Sequence, residues 1–233
     1  WLAELFGRRL LMSAWPTEYG GLGWSPEVAL SGLQQLARYE VPLPLYVTSQ
    51  LLAGSGLLEF GTPEQRAKFL PGIVSFEETW CQLFSEPEAG SDLAALRTQA
   101  VADGDHWVVS GQKVWTTWAH FAKWGLLLAR TGSSASLHGG ISCFILSMNS
   151  PGVDVRPLRQ MTGEESFNEV FMDDVMIDDS MRLGPVDGGW VVARSILQAE
   201  RGELGQRRVG GIDVHRLLER HRGTTDPRIR QML

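Results

Sequence analysis

The stretch Phe84-Ser-Glu-Pro-Glu-Ala-Gly-Ser-Asp92 lies where the sequence changes from helical to β character. Before it, apolar residues recur at helical spacing; after it, alternating and β-branched segments are separated by Gly and Asp turn signals. Small and hydroxylic residues in such a loop offer backbone N–H groups and hydroxyls to an anion or to the polar edge of a ring. The alternative interpretation is a structured turn in which Ser91 or Asp92 caps a neighbouring element.

Residues 1–79 form a predicted N-terminal helical domain. Ser25 suits the N-cap and Pro26 the first helical position of one helix. Apolar residues at approximately helical spacing in this helix are expected to form a buried stripe: Val28, Leu33, Leu36 and Ala37.

Two further helices are predicted in the same domain. Leu45–Phe60 is apolar and is followed by Gly61, a residue that commonly ends helices. Thr62-Pro-Glu-Gln65 has the pattern of a capping box and predicts the start of the next helix. Pro71-Gly72 is expected to end that helix.

Residues 80–186 form a predicted middle β domain. Short strands without intervening helices favour antiparallel pairing in a barrel or a sandwich. Asp103-Gly104 and Ser110-Gly111 are candidate hairpin turns, and the polar loop Thr131–Gly140 is expected to be mobile. The predicted strands are Leu96–Ala102, His106–Val109, Lys113–Thr117, Trp124–Arg130, Ile141–Met148, Val153–Pro157 and Glu169–Ile177.

Residues 187–233 are predicted to be the first part of a C-terminal helical domain. After Gly188-Gly189, helical periodicity returns with Val192, Ile196 and Leu204 at spacings of four or eight. The final residues, up to Leu233, have the character of a helix start, which suggests a truncated chain. The predicted fold class is therefore α+β, with an antiparallel β-barrel or sandwich between two helical regions.

Composition narrows the functional classes. Apolar residues make up 43% and charged residues 21% of the chain, as in ordinary globular proteins. No apolar run approaches about 18 residues and the N-terminus lacks signal-peptide features, so no membrane span is predicted. Cys81 and Cys143 provide no disulfide framework, which favours a reducing compartment and makes the cytoplasm the default location.

Charge and motifs exclude further classes. The net charge of −6 argues against general nucleic-acid binding. The Arg-rich stretch Arg201–Arg230 is interpreted as a solvated helix face, with contact to an anionic ligand or partner as the alternative. The five His residues show no metal-ligand spacing, so no metal site is predicted. The segment Ser133–Gly140 lacks the GxSxG elbow of a serine hydrolase.

Several segments occur in the order and spacing of the acyl-CoA dehydrogenase family, which the chain resembles over nearly its whole length. The resemblance implies a helical domain, a β domain and a C-terminal helical bundle, with FAD bound between them. The matching segments are Trp15-Pro-Thr-Glu-Tyr-Gly-Gly-Leu-Gly23, Phe60-Gly-Thr-Pro-Glu-Gln65, Ser85–Asp92, Gly111–Thr117 and Phe167-Asn-Glu-Val-Phe-Met-Asp-Asp174.

The resemblance also implies roles for individual residues in binding FAD. Phe84 and Ser85 would contact the flavin ring, and Ser85 would donate to its pyrimidine edge. Trp115 would pack on the isoalloxazine, although a core aromatic is the commoner fate of a strand Trp. The remaining implied cofactor contacts are Gly90 and Ser91 near the phosphates and Thr117 at N5. Glu88 replaces a Gly found in one common form of the loop, and its carboxylate is expected to face solvent.

The reaction of the family requires a carboxylate that removes the α proton of the acyl thioester. In some members this base lies on the first helix after the β domain, where this chain has Glu200. Glu200 lies in the apolar stripe of that helix, so desolvation is expected to raise its pKa. The alternatives are an ion pair of Glu200 with a neighbouring Arg, and a base beyond Leu233. Glu203 and Arg207 are interpreted as a surface pair.

The resemblance further implies that Ser91 and Arg201 lie near the substrate. The expected activity is FAD-dependent dehydrogenation of an acyl-CoA, with an electron-transfer flavoprotein as acceptor and a dimeric or tetrameric assembly of identical or different chains. Two alternatives stay open: a flavin oxidase or monooxygenase of the same fold, and a non-catalytic subunit or truncated structural relative.

Overall fold

The computed structural model describes residue 4 and residues 7–38, 46–132, 138–206 and 218–232, with side chains except at 36–38, 46–49, 202–206 and 232. Within these ranges, the α-helices are α1 Pro26–Arg38, α2 Tyr46–Phe60, α3 Pro63–Ser75, α4 Gly189–Gln206 and α5 Pro227–Met232. The strands are β1 Trp80–Leu83, β2 Gln99–Asp103, β3 His106–Thr117, β4 Trp124–Arg130, β5 Ile141–Ser147, β6 Val153–Leu158, β7 Phe167–Asp178 and β8 Arg182–Leu183. The predicted α+β class is confirmed.

Helix α1 starts as predicted, but the predicted buried stripe is wrong at Val28 and Leu33. The Ser25 carbonyl accepts the Ala29 N–H at 3.0 Å, in the first turn of the helix. Val28 is 52% exposed and Leu33 is 37% exposed. Ala29 is buried instead, because α1 packs beside the short 3-10 turn Leu10–Met12 through a different face. The side chains of Leu36 and Ala37 are outside the described set.

The capping box that opens α3 is confirmed and also joins the helical region to the sheet. Thr62 Oγ1 accepts the Gln65 N–H at 3.2 Å, and Gln65 Oε1 accepts the Thr62 N–H at 3.0 Å. Gln65 Nε2 then donates to the carbonyls of Ser180 and Arg182 at 2.8 and 2.9 Å. One glutamine therefore fixes both the start of α3 and its position against the end of the β domain.

The predicted end of α3 at Pro71-Gly72 is wrong, since the helix continues to Ser75 with Pro71 inside it. A proline within a helix costs about 3 kcal/mol. Burial offsets this cost, because the residues around the proline belong to the core: Phe69, Leu70, Ile73 and Val74.

Removal of the Thr62 cap should destabilise the fold measurably. We expect Thr62→Ala to lower the free energy of unfolding by about 1 kcal/mol, because a helix N–H loses its acceptor. Chemical denaturation gives this value. Ser31→Ala, at an exposed position in α1, is the matched control and should change stability by less than about 0.5 kcal/mol. Equal effects of the two substitutions would contradict the capping role.

The strands form one open sheet in which most pairings are antiparallel, as predicted, but β1 and β2 run parallel to β4 and the predicted barrel or sandwich is not confirmed. The strand order is β6-β7-β3-β2-β4-β5-β8, with β1 also paired to β4. β1 runs parallel to β4, with Trp80 opposite Trp124, because the β2–β3 hairpin lies between them in the chain. β6 and β8 end the strand order, so the sheet is not closed. β1 and β8 are additional to the predicted strands.

The predicted hairpin at Asp103-Gly104 is confirmed, whereas the one at Ser110-Gly111 is wrong. Asp103 pairs with His106 across the first turn. β3 instead continues through Gly111, where its pairing with β7 shifts register. A Cβ at Gly111 would lie 2.5 Å from Thr98 Oγ1. The glycine therefore permits close backbone approach and does not reverse the chain.

Two buried clusters lie on opposite faces of β4 and β5. Leu126 and Leu128 face the helices, while Leu127 and Ala129 face residues from β2, β3 and β7. α4 closes the helical cluster by packing on α2. A Cβ at Gly56 would come within 2.9 Å of Ile196 Cδ1, so the glycine allows the two helices to approach closely.

The described elements change type near both predicted domain boundaries. α3 ends at Ser75 before β1 begins, and β8 ends at Leu183 before α4 begins; the boundaries 79/80 and 186/187 stay predictions. The predicted loop Thr131–Gly140 contains residues 133–137, which lie outside the described residues. None of the helices in the described ranges has the length and apolar character that a bilayer crossing requires.

Candidate functional site

The loop Phe84–Asp92 leaves the end of β1 and folds back on itself. Glu86 and Ala89 exchange two backbone hydrogen bonds, of 2.9 and 3.1 Å. Phe84 is buried, whereas Gly90 and Ser91 are exposed. Asp92 makes no side-chain cap to the 3-10 turn that follows it, so side-chain capping does not explain this residue.

A buried ion pair fastens the loop to the sheet. Lys113 Nζ lies 2.7 Å from Glu86 Oε1 and donates to the Phe84 carbonyl at 3.1 Å. Lys113 is 0% exposed. The Glu86 carboxylate also accepts the backbone N–H groups of Arg97 and Thr98 at 2.6 and 3.0 Å. The loop is therefore held on both sides by charge-assisted hydrogen bonds.

Burial and pairing act in opposite directions on these two groups. Burial lowers the pKa of Lys113 to about 8, against the attraction of Glu86. Burial alone would raise the pKa of Glu86, but Lys113 and the hydrogen bonds outweigh it and hold that pKa below its ordinary value. Both groups are therefore charged at neutral pH.

The sequence interpretation did not include this pair. A signal for it existed, because Lys113 has the same strand parity as the buried Trp107 and Val109. An inward-facing Lys requires a buried partner. Finding Glu86, however, requires knowing how the loop folds back.

Trp115 is held outward by a bulge in β3. Lys113 pairs with Val170 and Thr116 with Asn168, so the register shifts across Trp115. Trp115 has φ 59, a conformation that costs a non-glycine residue roughly 1–2 kcal/mol. Its side chain is 62% exposed, which rules out the core-aromatic interpretation. Its ring meets Phe167 edge-on at 6.0 Å.

The bulge and the loop are neighbours. The Val114 N–H donates to the Ser85 carbonyl at 2.9 Å, which places Ser85 beside Trp115. Thr117 is half-buried two residues further along β3 and lies opposite Phe167. The structure thus brings together Phe84, Ser85, Trp115 and Thr117.

These residues fit a flavin. A flat indole face exposed on a rigid strand suits stacking of a planar ring, and the nearby hydroxyls of Ser85 and Thr117 suit its polar edge. A Cβ at Gly90 would meet nothing within 4 Å, so the loop is open on that side. Glu88 is exposed and pairs with Arg97 at 2.8 Å, which confirms that its carboxylate faces solvent.

Glu200 lies on α4, on the turn that follows the fully buried Ile196. It is half-buried, and burial raises its pKa against the opposing effect of Arg201. Arg201 is exposed. Among the described residues, no hydrogen bond or ion pair joins Glu200 or Arg201 to the loop.

Several other candidates lie outside the described residues or lack a metal-binding arrangement. The side chains of Leu204, Glu203 and Arg207, and much of the Arg201–Arg230 stretch, are outside the described residues. Within the described ranges, no three His, Cys, Asp or Glu residues come together as a metal site would require.

The sequence matches two descriptions of one family. "Acyl-CoA dehydrogenase, N-terminal domain" matches residues 1–77, and "Acyl-CoA dehydrogenase, middle domain" matches residues 81–175. The chain is 42% identical to "Acyl-CoA dehydrogenase IpdE1" of Mycobacterium tuberculosis, over 100% of this chain and 62% of the relative. It is 46% identical to "Acyl-CoA dehydrogenase FadE34" of the same organism, over 90% of this chain and 29% of the relative.

A solved structure shows the same fold. The "Tcur3481-Tcur3483 steroid ACAD" has a TM-score of 0.80 and 31% identity over 99% of this chain and 60% of that chain. The chain therefore spans less than two thirds of the length of these relatives. From the two matching domains, the level of identity and the shared fold, the chain belongs to the acyl-CoA dehydrogenase family.

Proposed function

We propose that the protein is an FAD-dependent acyl-CoA dehydrogenase that introduces an α,β double bond into an acyl-CoA thioester. The observation that carries this proposal is the exposed Trp115 indole, held by a strained bulge beside the Ser85 loop. Strain at an exposed aromatic is typical of a functional position. Family membership supports the reaction class.

In this proposal the residues of the site bind and orient the cofactor and the substrate. Phe84, Ser85, Trp115 and Thr117 would contact the flavin ring, and the exposed Gly90 and Ser91 would lie towards its phosphates. Ser91 and Arg201 would also contact the substrate. When bound, FAD supplies the acceptor for the hydride that leaves Cβ.

Glu200 is the proposed base for the α proton. Its raised pKa supports this role, because a carboxylate that abstracts a proton near neutrality benefits from desolvation. The proton would move from the substrate Cα to the Glu200 carboxylate.

We further propose an electron-transfer flavoprotein as acceptor, and an assembly of two or four chains in the cytoplasm with a role in lipid metabolism. The free, buried thiols of Cys81 and Cys143 support a reducing compartment. The name of the solved steroid relative joins two designations, Tcur3481 and Tcur3483. This supports a test of whether the protein assembles with a second, different chain.

Turnover with a panel of acyl-CoA thioesters tests the function. The panel should include straight-chain and steroid acyl groups, with an artificial electron acceptor under anaerobic conditions and with air in a second arm. Enoyl-CoA formed only with the added acceptor supports a dehydrogenase. Product with peroxide formation in air indicates an oxidase. FAD binding without turnover of any thioester would contradict the proposal and favour a non-catalytic subunit.

Trp115→Ala should separate binding from stability. We expect FAD affinity to fall about tenfold, since aromatic stacking contributes up to about 1.5 kcal/mol. The free energy of unfolding without FAD should change by less than about 1 kcal/mol, because the indole is largely exposed. Fluorescence titration and chemical denaturation measure the two quantities.

Trp24→Ala is the control, because Trp24 is exposed on the helical domain; it should leave FAD affinity unchanged. Equal FAD affinities for Trp115→Ala and the wild type would remove Trp115 from the site.

A further inference from the structure

The buried Glu86–Lys113 pair acts on a single peptide group of the loop. Lys113 Nζ donates to the carbonyl of Phe84, which belongs to the peptide bond between Phe84 and Ser85. None of the described peptide bonds is cis, so the N–H of Ser85 points away from the ammonium. A positive charge on the carbonyl side polarises the peptide and strengthens its N–H as a donor.

Stability alone does not explain why this position is charged. Burying two charges carries a desolvation cost that often cancels their attraction, and apolar residues of similar volume are frequently as stable. Lys113 is fully enclosed, and its neighbour across the sheet is the buried Val170. A Met would fill the same space without the desolvation cost.

We propose that Lys113 and Glu86 are positioning residues that hold the Phe84–Ser85 peptide in place, and that the Lys113 ammonium offsets the effect of the buried Glu86 carboxylate on the reduction potential of the flavin bound there. The inference rests on the proposed FAD site. Two-electron reduction makes a flavin more electron-rich, and charges interact strongly through a poorly screened interior. Lys113 therefore favours reduction and Glu86 opposes it.

The test is the midpoint potential of FAD bound to the holoenzyme, measured for the wild type, Lys113→Met and the double variant Glu86→Gln/Lys113→Met. Lys113→Met leaves the Glu86 carboxylate unbalanced. We expect it to weaken binding of reduced relative to oxidised FAD about tenfold, a shift of about −30 mV for a two-electron couple. The double variant has no net buried charge and should return most of the way to the wild-type potential.

A role limited to tethering the Phe84 carbonyl predicts a different pattern, because both variants lack the Lys113 donor and would shift the potential equally. Equal potentials in the three proteins would also overturn the inference. If Lys113→Met does not fold, Lys113→Gln, which also removes the positive charge, replaces it and should show a potential below that of the double variant. Failure of the wild type to bind FAD would instead refute the proposed function, so the two failures are distinguishable.

Discussion

Glu200→Gln is expected to lower the rate of anaerobic flavin bleaching by an acyl-CoA by about 10²–10⁴-fold, the usual contribution of a general base. The amide keeps the size of the side chain but cannot accept the α proton. Stopped-flow absorbance of the FAD-loaded protein measures this rate. In the wild type the rate should rise with pH through the pKa of Glu200, which burial holds above its ordinary value. The variant should lose this dependence.

Gln198→Ala is the matched control, because Gln198 is exposed on the same helix. It should bleach at nearly the wild-type rate. Glu200→Gln should also retain FAD, since Glu200 is not among the proposed flavin contacts. Bleaching of Glu200→Gln at the wild-type rate would show that the base lies elsewhere.

Lys113→Met is expected to lower the free energy of unfolding by about 3–5 kcal/mol, the cost of leaving a buried charge without its partner. The Glu86 carboxylate would keep only its two backbone donors. Chemical denaturation of the FAD-free protein measures the loss. The double variant Glu86→Gln/Lys113→Met should recover most of it, because no unpaired charge remains.

Lys123→Met provides the control for this prediction. Lys123 forms a comparable 2.6 Å pair with Glu78, but its side chain is 50% exposed. Exposed pairs contribute about 0–1 kcal/mol. Similar losses of unfolding free energy for Lys113→Met and Lys123→Met would contradict the claim that burial makes an unpaired charge at Glu86 more costly than one at the exposed pair.

Features encoded by neighbouring residues were predictable. The capping box at Thr62 and the hairpin at Asp103-Gly104 each require only a few residues in the right order. The end of α3 was not predictable, because the preference of Pro71 to end a helix yields to the burial of residues on both sides of it. Local propensity is a weak guide where the core decides.

Long-range pairing explains the error about the sheet. Nothing near Trp80 specifies that β1 will lie parallel to β4, more than 40 residues later. Without intervening helices, antiparallel neighbours are the default expectation. The hairpin of β2 and β3 supplies the crossover that a helix provides in other folds.

The candidate site also combines features that the sequence predicted with features that depend on the folded backbone. The family resemblance placed Phe84, Ser85 and Trp115 in one site, and the structure brings these residues together. The exposure of Trp115 depends on a bulge, and the Glu86–Lys113 pair depends on the path of a loop. Both are properties of the folded backbone, so the pattern of residue types alone did not reveal them.

Hydrogen exchange with and without FAD tests the central claim most directly, namely that the loop and the bulge form one flavin site. We predict that FAD slows exchange of backbone amides in residues 84–92 and 112–118, while exchange in the distant turn between β2 and β3, at 103–106, stays unchanged. FAD binding that leaves both site segments unprotected, or that protects other segments instead, would contradict the account.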